Sequence, residues 1–160
     1  MKLFLKTALF TLVMPGTFAV LLPVVLAADR TTARGVTLWL AWCLFALGTV
    51  LYLRSAWDFA AFGGGTPAPI DAPNRLVTRG FYRYTRNPMY VASLTVVAGW
   101  AILFEAAILV AYGVILFVFF SLFIRLYEEP RLARDFGQDY TSYVSQVSRW
   151  LPRRPRGKVA

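Results

Sequence analysis

Two polar clusters interrupt the apolar second half of the chain, and both contain side chains that can bind ions or move protons. The tyrosine–arginine cluster is residues 79–90, RGFYRYTRNPMY. The diglutamate cluster is residues 125–130, RLYEEP. Carboxylates accept protons or bind cations, whereas arginines and the free N–H groups of a helix N-terminus bind anions. The two clusters together suit a ligand that carries both an anionic and a cationic group.

Each cluster also has a simpler interpretation. Glu128 and Glu129 oppose the dipole of the apolar helix that they end, and such residues are often solvated surface. Arg125 lies one turn before Glu128, so the two could form a plain ion pair. Interfacial tyrosines and arginines commonly anchor a helix among lipid headgroups. The uninterrupted apolar run before Glu128 nevertheless favours a functional role, as a cation ligand or a proton acceptor.

Apolar helices must position these clusters. Hydrophobic residues make up 58% of the chain and charged residues 16%, which is typical of a membrane protein. The long apolar runs predict four transmembrane helices, at about 7–28, 36–57, 88–104 and 106–127. Only Glu105 separates the last two, so the chain must reverse there. We therefore predict an all-α membrane protein in which both clusters emerge side by side on one membrane face.

The two ends of the chain carry further signals. Lys2, Lys6 and the following apolar run resemble a signal peptide, but the run exceeds the roughly 7–15 residues of a signal core. We expect a retained transmembrane helix, interrupted or kinked near Pro15-Gly16 and Pro23. After the fourth span, apolar residues recur at helical spacing: Leu132, Phe136, Tyr140, Tyr143 and Val147. This stripe predicts an amphipathic helix at the membrane interface that bends at Gly137 and covers the site.

The distribution of basic residues predicts orientation and partners. Fifteen of the 17 lysines and arginines fall on one side of the predicted spans, and only Arg30 and Arg34 fall on the other. Both termini are therefore expected in the cytoplasm. The net charge of +9 then comes from basic residues on the cytoplasmic side, where they face anionic lipid headgroups. Nucleic-acid binding would be confined to the tail at 153–158, and we expect none.

Cysteine and histidine usage excludes other kinds of site. Cys43 is the single cysteine, it lies inside the second predicted span, and the chain has no histidine. A disulfide and the usual ligand sets of zinc and haem are therefore excluded, and we expect no bound metal.

The clusters resemble the motifs of a known family. Residues 80–90 resemble the Gly-x-Tyr-x-x-x-Arg-His-Pro-x-Tyr motif of the isoprenylcysteine carboxyl methyltransferases. The C-terminal signature of that family is similar to Glu128-Glu129, Phe136-Gly137, Tyr140, Tyr143, Arg149 and Pro152. The related phosphatidylethanolamine N-methyltransferases share this architecture. The resemblance covers residues 74–152 and departs at Asn87, where the family usually has histidine. Asparagine keeps a hydrogen-bond donor and acceptor but cannot titrate near neutrality.

The resemblance implies a cofactor and a set of contacts. S-adenosylmethionine has a carboxylate, an ammonium, a sulfonium and an adenine, which matches the mixed charge of the two clusters. By the resemblance it would contact Asn74, Arg75, Leu76, Val77, Tyr82, Asn87, Pro88, Met89, Tyr90 and Glu128. Arg125 resembles an arginine that faces the reacting substrate in this family. An amine acceptor would need a base, for which Glu129 or Glu128 is available, whereas a carboxylate acceptor would need none.

We therefore predict a single integral-membrane methyltransferase domain over residues 1–160. Its acceptor would be lipophilic: a carboxylate or an amine of an isoprenoid, a phospholipid or another hydrophobic molecule. The sequence leaves these acceptors open. The alternative is a non-catalytic membrane scaffold or assembly factor that keeps the same hairpin. A transporter is disfavoured because no predicted span has a charged residue at its middle.

Overall fold

A computed structural model describes residues 2–65 and 74–151, and these residues form helices with no β-strand among them. In chain order the elements are α1 (Lys2–Pro15), a π-helical segment (Gly16–Leu21), α2 (Leu22–Leu26), α3 (Val36–Asp58), a π-helical segment (Phe59–Gly63), a 3₁₀ turn (Gly80–Arg83), α4 (Pro88–Leu103), α5 (Ala107–Phe123), a π-helical segment (Ile124–Glu128) and α6 (Glu129–Gln146). The predictions for Pro152 and for the tail at 153–158 lie outside the described residues.

Within residues 2–65 and 74–151, three helical stretches are long and apolar enough to cross a membrane. They are Leu5–Leu26, Val36–Gly63 and Ala107–Gln146. Helix α4, which covers the remaining predicted span, is apolar but has 16 residues. The all-helical class with several candidate spans is therefore confirmed, and a fourth crossing by α4 stays a prediction.

Two of the π-helical segments end two residues before a proline. Before Pro23, the N–H of Leu22 bonds to the carbonyl five residues earlier. Before Pro130, the N–H of Glu129 likewise bonds to the carbonyl of Ile124, five residues earlier. The wider turn makes room for a proline ring that would clash in a regular α-helix. For this reason the helix that contains the last predicted span does not stop at residue 127 but continues to Gln146.

The irregular turn in the N-terminal helix docks that helix onto α4 and α5. Pro23 has no N–H, so the carbonyl of Ala19, four residues earlier, loses its usual helical donor. The indole of Trp100 donates to that carbonyl at 2.9 Å. The hydroxyl of Tyr112 donates to the neighbouring carbonyl of Phe18 at 2.6 Å. The predicted interruption of this helix is present as the π-helical segment Gly16–Leu21, and neighbouring helices satisfy its freed backbone groups, as an apolar environment requires.

Close packing and a tight reversal set the arrangement of α3, α4 and α5. A Cβ at Gly48 of α3 would lie 2.7 Å from the side chain of Val96 and 2.9 Å from the carbonyl oxygen of Ala92. The missing side chain therefore lets α3 and α4 come close together. Between α4 and α5 the chain reverses at Glu105, as the sequence predicts. The φ of Glu105 is 46. The start of α4 consequently lies beside the end of α5.

The apolar stripe of α6 packs against the rest of the protein. Its buried members are Tyr140, Tyr143 and Val147, and the side chains packed with them are Leu76, Leu132 and Phe136. Gly137 has φ 50 and ψ −119, so the predicted bend is confirmed. Because the stripe contacts Leu76, α6 covers the segment that leads into the tyrosine–arginine cluster. Its placement at a membrane interface stays a prediction.

Candidate functional site

Gly80 allows the tyrosine–arginine cluster to lie directly against the end of α3. Its φ of 58 is in the left-handed region, and a Cβ at this position would collide with the carboxylate of Asp58. Asp58 is buried, and its Oδ2 lies 3.6 Å from Nε of Arg54. A residue with a side chain at position 80 would therefore be strained in its backbone and would displace a buried carboxylate.

The turn that follows Gly80 buries Tyr82. The hydroxyl of Tyr143 in α6 donates to the carbonyl of Tyr82 at 2.7 Å, so α6 holds this turn in place. The rings of Tyr82 and Phe59 lie 6.3 Å apart between their centroids. Burial raises the pKa of the Tyr82 hydroxyl well above its usual range, so this phenol stays protonated and offers a neutral hydroxyl.

Tyr90 and Glu128 join the two clusters directly. The hydroxyl of Tyr90 donates to Oε1 of Glu128 at 2.6 Å, although the residues are 38 positions apart in the chain. The ring of Tyr90 also packs on Phe120, with 4.6 Å between the ring centroids. The meeting of the clusters that the short hairpin predicts is therefore present in the structure. The polar partner that Glu128 has here is Tyr90, whereas Arg125 is exposed.

Glu129 has very different surroundings from its neighbour. Its Oε1 accepts from Nε of Arg149 at 2.8 Å and its Oε2 from Nη2 at 2.7 Å. Nη1 of Arg86 lies 2.9 Å from Oε1. The bonds to Glu129 raise the pKa of Arg149 above its usual value. Two guanidinium groups thus occupy both oxygens of the Glu129 carboxylate.

The C-terminal segment 147–151, here called the strap, returns to the start of α4. The Thr85 hydroxyl and the Asn87 side-chain amide each donate to the carbonyl of Arg149 at 3.0 Å. The backbone N–H of Arg86 bonds to the carbonyl of Ser148 at 2.9 Å. Arg86 and Arg149 together hold the Glu129 carboxylate, and this group of three residues is here called the clasp on Glu129. The clasp and the backbone bonds fix the strap against the tyrosine–arginine cluster.

Asn87 does not act as the helix cap that its position suggests. It precedes Pro88, which is the first residue of α4 as predicted, but the Asn87 side chain makes no capping bond. Its amide donates to the strap instead. The side-chain amide of Asn87 therefore ties the start of α4 to the strap.

A cavity of about 370 Å³ lies between the two clusters, within the usual size range of small-molecule sites. Its polar end includes Arg86, Glu128 and Glu129. Its apolar end lies between two helices, α1 and α5. The residues that line the apolar end are Phe10, Met14 and Phe18 on one wall and Phe119, Phe120 and Phe123 on the other.

Most of the predicted site residues line this cavity. They are Leu76, Val77, Tyr82, Asn87, Pro88, Met89, Tyr90, Glu128 and Glu129. Asn74 and Arg75 are exposed, and their N–H groups bond to the carbonyl of Gly63 at 2.8 and 3.2 Å. Arg125 is exposed and is not part of the cavity wall. The structure therefore brings together nine of the twelve predicted residues and leaves these three outside.

Two features of the site went unpredicted. The apolar wall from α1 left no signal, because that run is apolar on every side and gives no indication of which face meets the protein. The clasp on Glu129 was also missed: Arg86 was interpreted as a headgroup contact, and Arg149 as part of a motif only. The acidic pair near several arginines was the available signal for such a clasp.

Comparison with known proteins identifies the family. A model of the family described as phospholipid methyltransferase matches residues 36–139. The chain belongs to this family. The predicted family of membrane methyltransferases is thus confirmed, and the matched region contains both clusters. A search of curated proteins finds no match. Helix α1 and the strap, which complete the cavity and hold its rim, lie outside the matched region.

Proposed function

We propose that the chain is an integral-membrane methyltransferase that uses S-adenosylmethionine and a lipophilic acceptor. The observation that carries this proposal is the Tyr90–Glu128 pair on the wall of a cavity between the start of α4 and the end of α5. Membership of a methyltransferase family supports the reaction class. The cofactor, the acceptor and the extension of one functional domain over residues 1–160 are the proposed parts.

The polar end of the cavity fits the cofactor. Glu128 supplies a carboxylate for an ammonium group, and Tyr90 orients that carboxylate through its hydroxyl. The first turn of α4, which begins at Pro88, presents N–H groups suited to a carboxylate. Tyr82 and Tyr90 add aromatic surface for an adenine ring. Val77 and Leu76 complete an apolar wall on the same side.

The apolar end suits an acceptor that stays in the bilayer. S-adenosylmethionine, when bound, supplies a methyl group already activated by the sulfonium. The protein then has to align the acceptor with it and exclude water. We infer four transmembrane crossings including α4, both termini in the cytoplasm and α6 at the interface. In that arrangement a soluble cofactor and a lipid meet at the polar rim of the cavity.

The geometry bears on the acid–base roles. Glu129 is the weaker candidate for a base, because Arg86 and Arg149 hold both its oxygens. We propose that it positions the strap and the rim. An amine acceptor would then have Glu128 as the nearby carboxylate. The role of Arg125 toward the acceptor stays a prediction, and its exposed position favours contact with a headgroup outside the cavity.

A transfer assay tests the proposal against the scaffold alternative. Membranes from cells that make the wild-type chain, Glu128→Gln or Asp139→Asn are incubated with methyl-labelled S-adenosylmethionine, and lipids are then extracted. We expect label in the lipid fraction with wild type and with Asp139→Asn, whose carboxylate is exposed and outside the cavity wall. Glu128→Gln should reduce the label strongly. No wild-type label above cells lacking the chain, although the protein is present and folded, would favour the scaffold.

A further inference from the structure

The N-terminal helix forms one wall of the cavity without closing it. Met14 and Phe119 line opposite walls, and both are largely exposed, at 46% and 55% of their surface. Toward the middle of the bundle the gap closes, because Phe18 and Ala19 belong to a packed cluster with Phe120. The result is an apolar cleft between α1 and α5 that opens sideways and narrows inward.

Two sets of hydrogen bonds hold this cleft open. The turn after Pro15 is fixed to α4 and α5 through Trp100 and Tyr112. Helix α1 itself is tied to α3 instead, because the hydroxyls of Thr11 in α1 and Tyr52 in α3 lie 3.2 Å apart. Because α1 is attached to α3 on one side and to the α4–α5 hairpin further along, the α1 face at Met14 is left facing the aromatic side chains of α5.

We infer that this cleft binds one hydrocarbon chain of the membrane-lipid acceptor and that α1 determines which chains fit. The inference deepens the proposed function and rests on it. The cleft is continuous with the polar end of the cavity, so a lipid chain held there would bring its polar head toward Glu128. Both helices that form it are long and apolar enough to cross a membrane, so bilayer chains are what surrounds its open side. Helix α1, which lies outside the region that matches the family, supplies the wall opposite α5, so its side chains set the width of the cleft.

Photolabelling tests this binding without requiring turnover. The full chain is placed in phosphatidylcholine vesicles that contain phosphatidylethanolamine with a diazirine on one acyl chain, then irradiated and mapped by peptide. We expect label concentrated at 10–18 and 119–123. The internal control is the exposed face of α3 around Val50 and Leu53, at the depth set by the Thr11–Tyr52 contact. Equal labelling of the α3 face and the cleft would overturn the inference.

A matched pair of variants on α1 sharpens the test. Met14→Trp places a larger side chain in the cleft, and Leu12→Trp places it on an exposed face that does not line the cavity. Because the larger side chain occupies space that the lipid chain would fill, Met14→Trp should lower the label at 119–123 by about fivefold or more. Leu12→Trp should leave it unchanged. Equal effects of the two variants, or none from Met14→Trp, would contradict the inference.

The readouts separate this inference from the proposed function. Binding of labelled S-adenosylmethionine is measured in wild type and in Leu12→Trp, whose side chain does not line the cavity, and it should be the same in both. If wild type does not bind the cofactor, the proposed function fails whatever the photolabelling shows. If the cofactor binds and the cleft is not labelled above the α3 face, only the assignment of the cleft fails.

Discussion

Glu128 and Glu129 are adjacent in sequence and have opposite surroundings. Glu128 accepts one hydrogen bond from a neutral tyrosine hydroxyl, which leaves lone pairs for a ligand. Glu129 is held on both oxygens by Arg86 and Arg149. One carboxylate is therefore available to a cationic ligand, and the other is used within the protein. A motif of two acidic residues therefore need not be a pair of equivalent catalytic groups.

The largest expected effect is on cofactor affinity in Glu128→Gln. This change removes the negative charge but keeps the shape, and a charge-assisted bond contributes about 1.5–3 kcal/mol. The dissociation constant for labelled S-adenosylmethionine should therefore rise by about tenfold or more. Asp139→Asn, on the exposed side of α6, is the control and should bind as wild type does. Unchanged affinity in a folded Glu128→Gln protein would contradict the assignment of Glu128 as the carboxylate that binds the cofactor.

The next effect is on stability in Glu129→Gln. Removing this charge leaves two part-buried arginines without their carboxylate, so the strap should loosen. We expect the unfolding temperature to fall by several degrees, since broken charge-assisted bonds cost about 1.5–3 kcal/mol. Glu129→Gln combined with Arg149→Gln should cost less than the sum of the single changes. Full additivity would mean that the clasp does not act as a unit.

Tyr90→Phe should have a moderate effect that isolates the hydroxyl. The ring can still pack on Phe120, while Glu128 loses its donor. A single hydrogen bond contributes about 0.5–1.5 kcal/mol, so cofactor affinity should fall by about threefold to tenfold. Tyr84→Phe, on an exposed tyrosine of the same cluster, is the matched control. If Tyr84→Phe lowers cofactor affinity as much as Tyr90→Phe does, the tyrosine hydroxyls of this cluster act only as interface anchors.

Arg125→Ala should have the smallest effect on cofactor binding. Arg125 is exposed and does not line the cavity, so affinity should stay within about twofold of wild type. The same protein should be tested for methyl transfer with the cofactor saturating. A loss of transfer at unchanged affinity would support the predicted contact with the acceptor. A loss of affinity would mean that Arg125 turns toward the cofactor, contrary to the present geometry.

The hairpin was predictable because its constraints are local. One residue, Glu105, separates two apolar runs, so the start of the first run must lie beside the later turns of the second. The bend at Gly137 and the stripe of α6 were likewise available from residue type and spacing. Nine of the predicted site residues followed from these features and from the motif resemblance.

The remaining features depend on helix rotation and on contacts distant in sequence. Successive residues of a helix point about 100° apart, so sequence alone could not say which glutamate faces the cavity. The π-helical segment Ile124–Glu128 adds a further change in rotation just before them. The strap meets the cluster through a backbone bridge between Thr85 and Ser148, for which no periodic pattern exists. Sequence alone also could not predict which face of α1 lines the cavity, because the rotation of an evenly apolar helix leaves no pattern in the sequence.

Hydrogen–deuterium exchange would test most directly whether the cofactor binds between the two clusters. The wild-type chain in lipid nanodiscs is compared with and without S-adenosylhomocysteine at about 1 mM, well above a micromolar dissociation constant. We predict slower exchange in segments 76–90 and 124–132, which carry Val77, Tyr82, Tyr90 and Glu128. Segment 101–110, at the opposite end of the hairpin, should not change. Protection confined to that opposite end, or no protection anywhere in a folded protein, would contradict a cofactor site at this cavity.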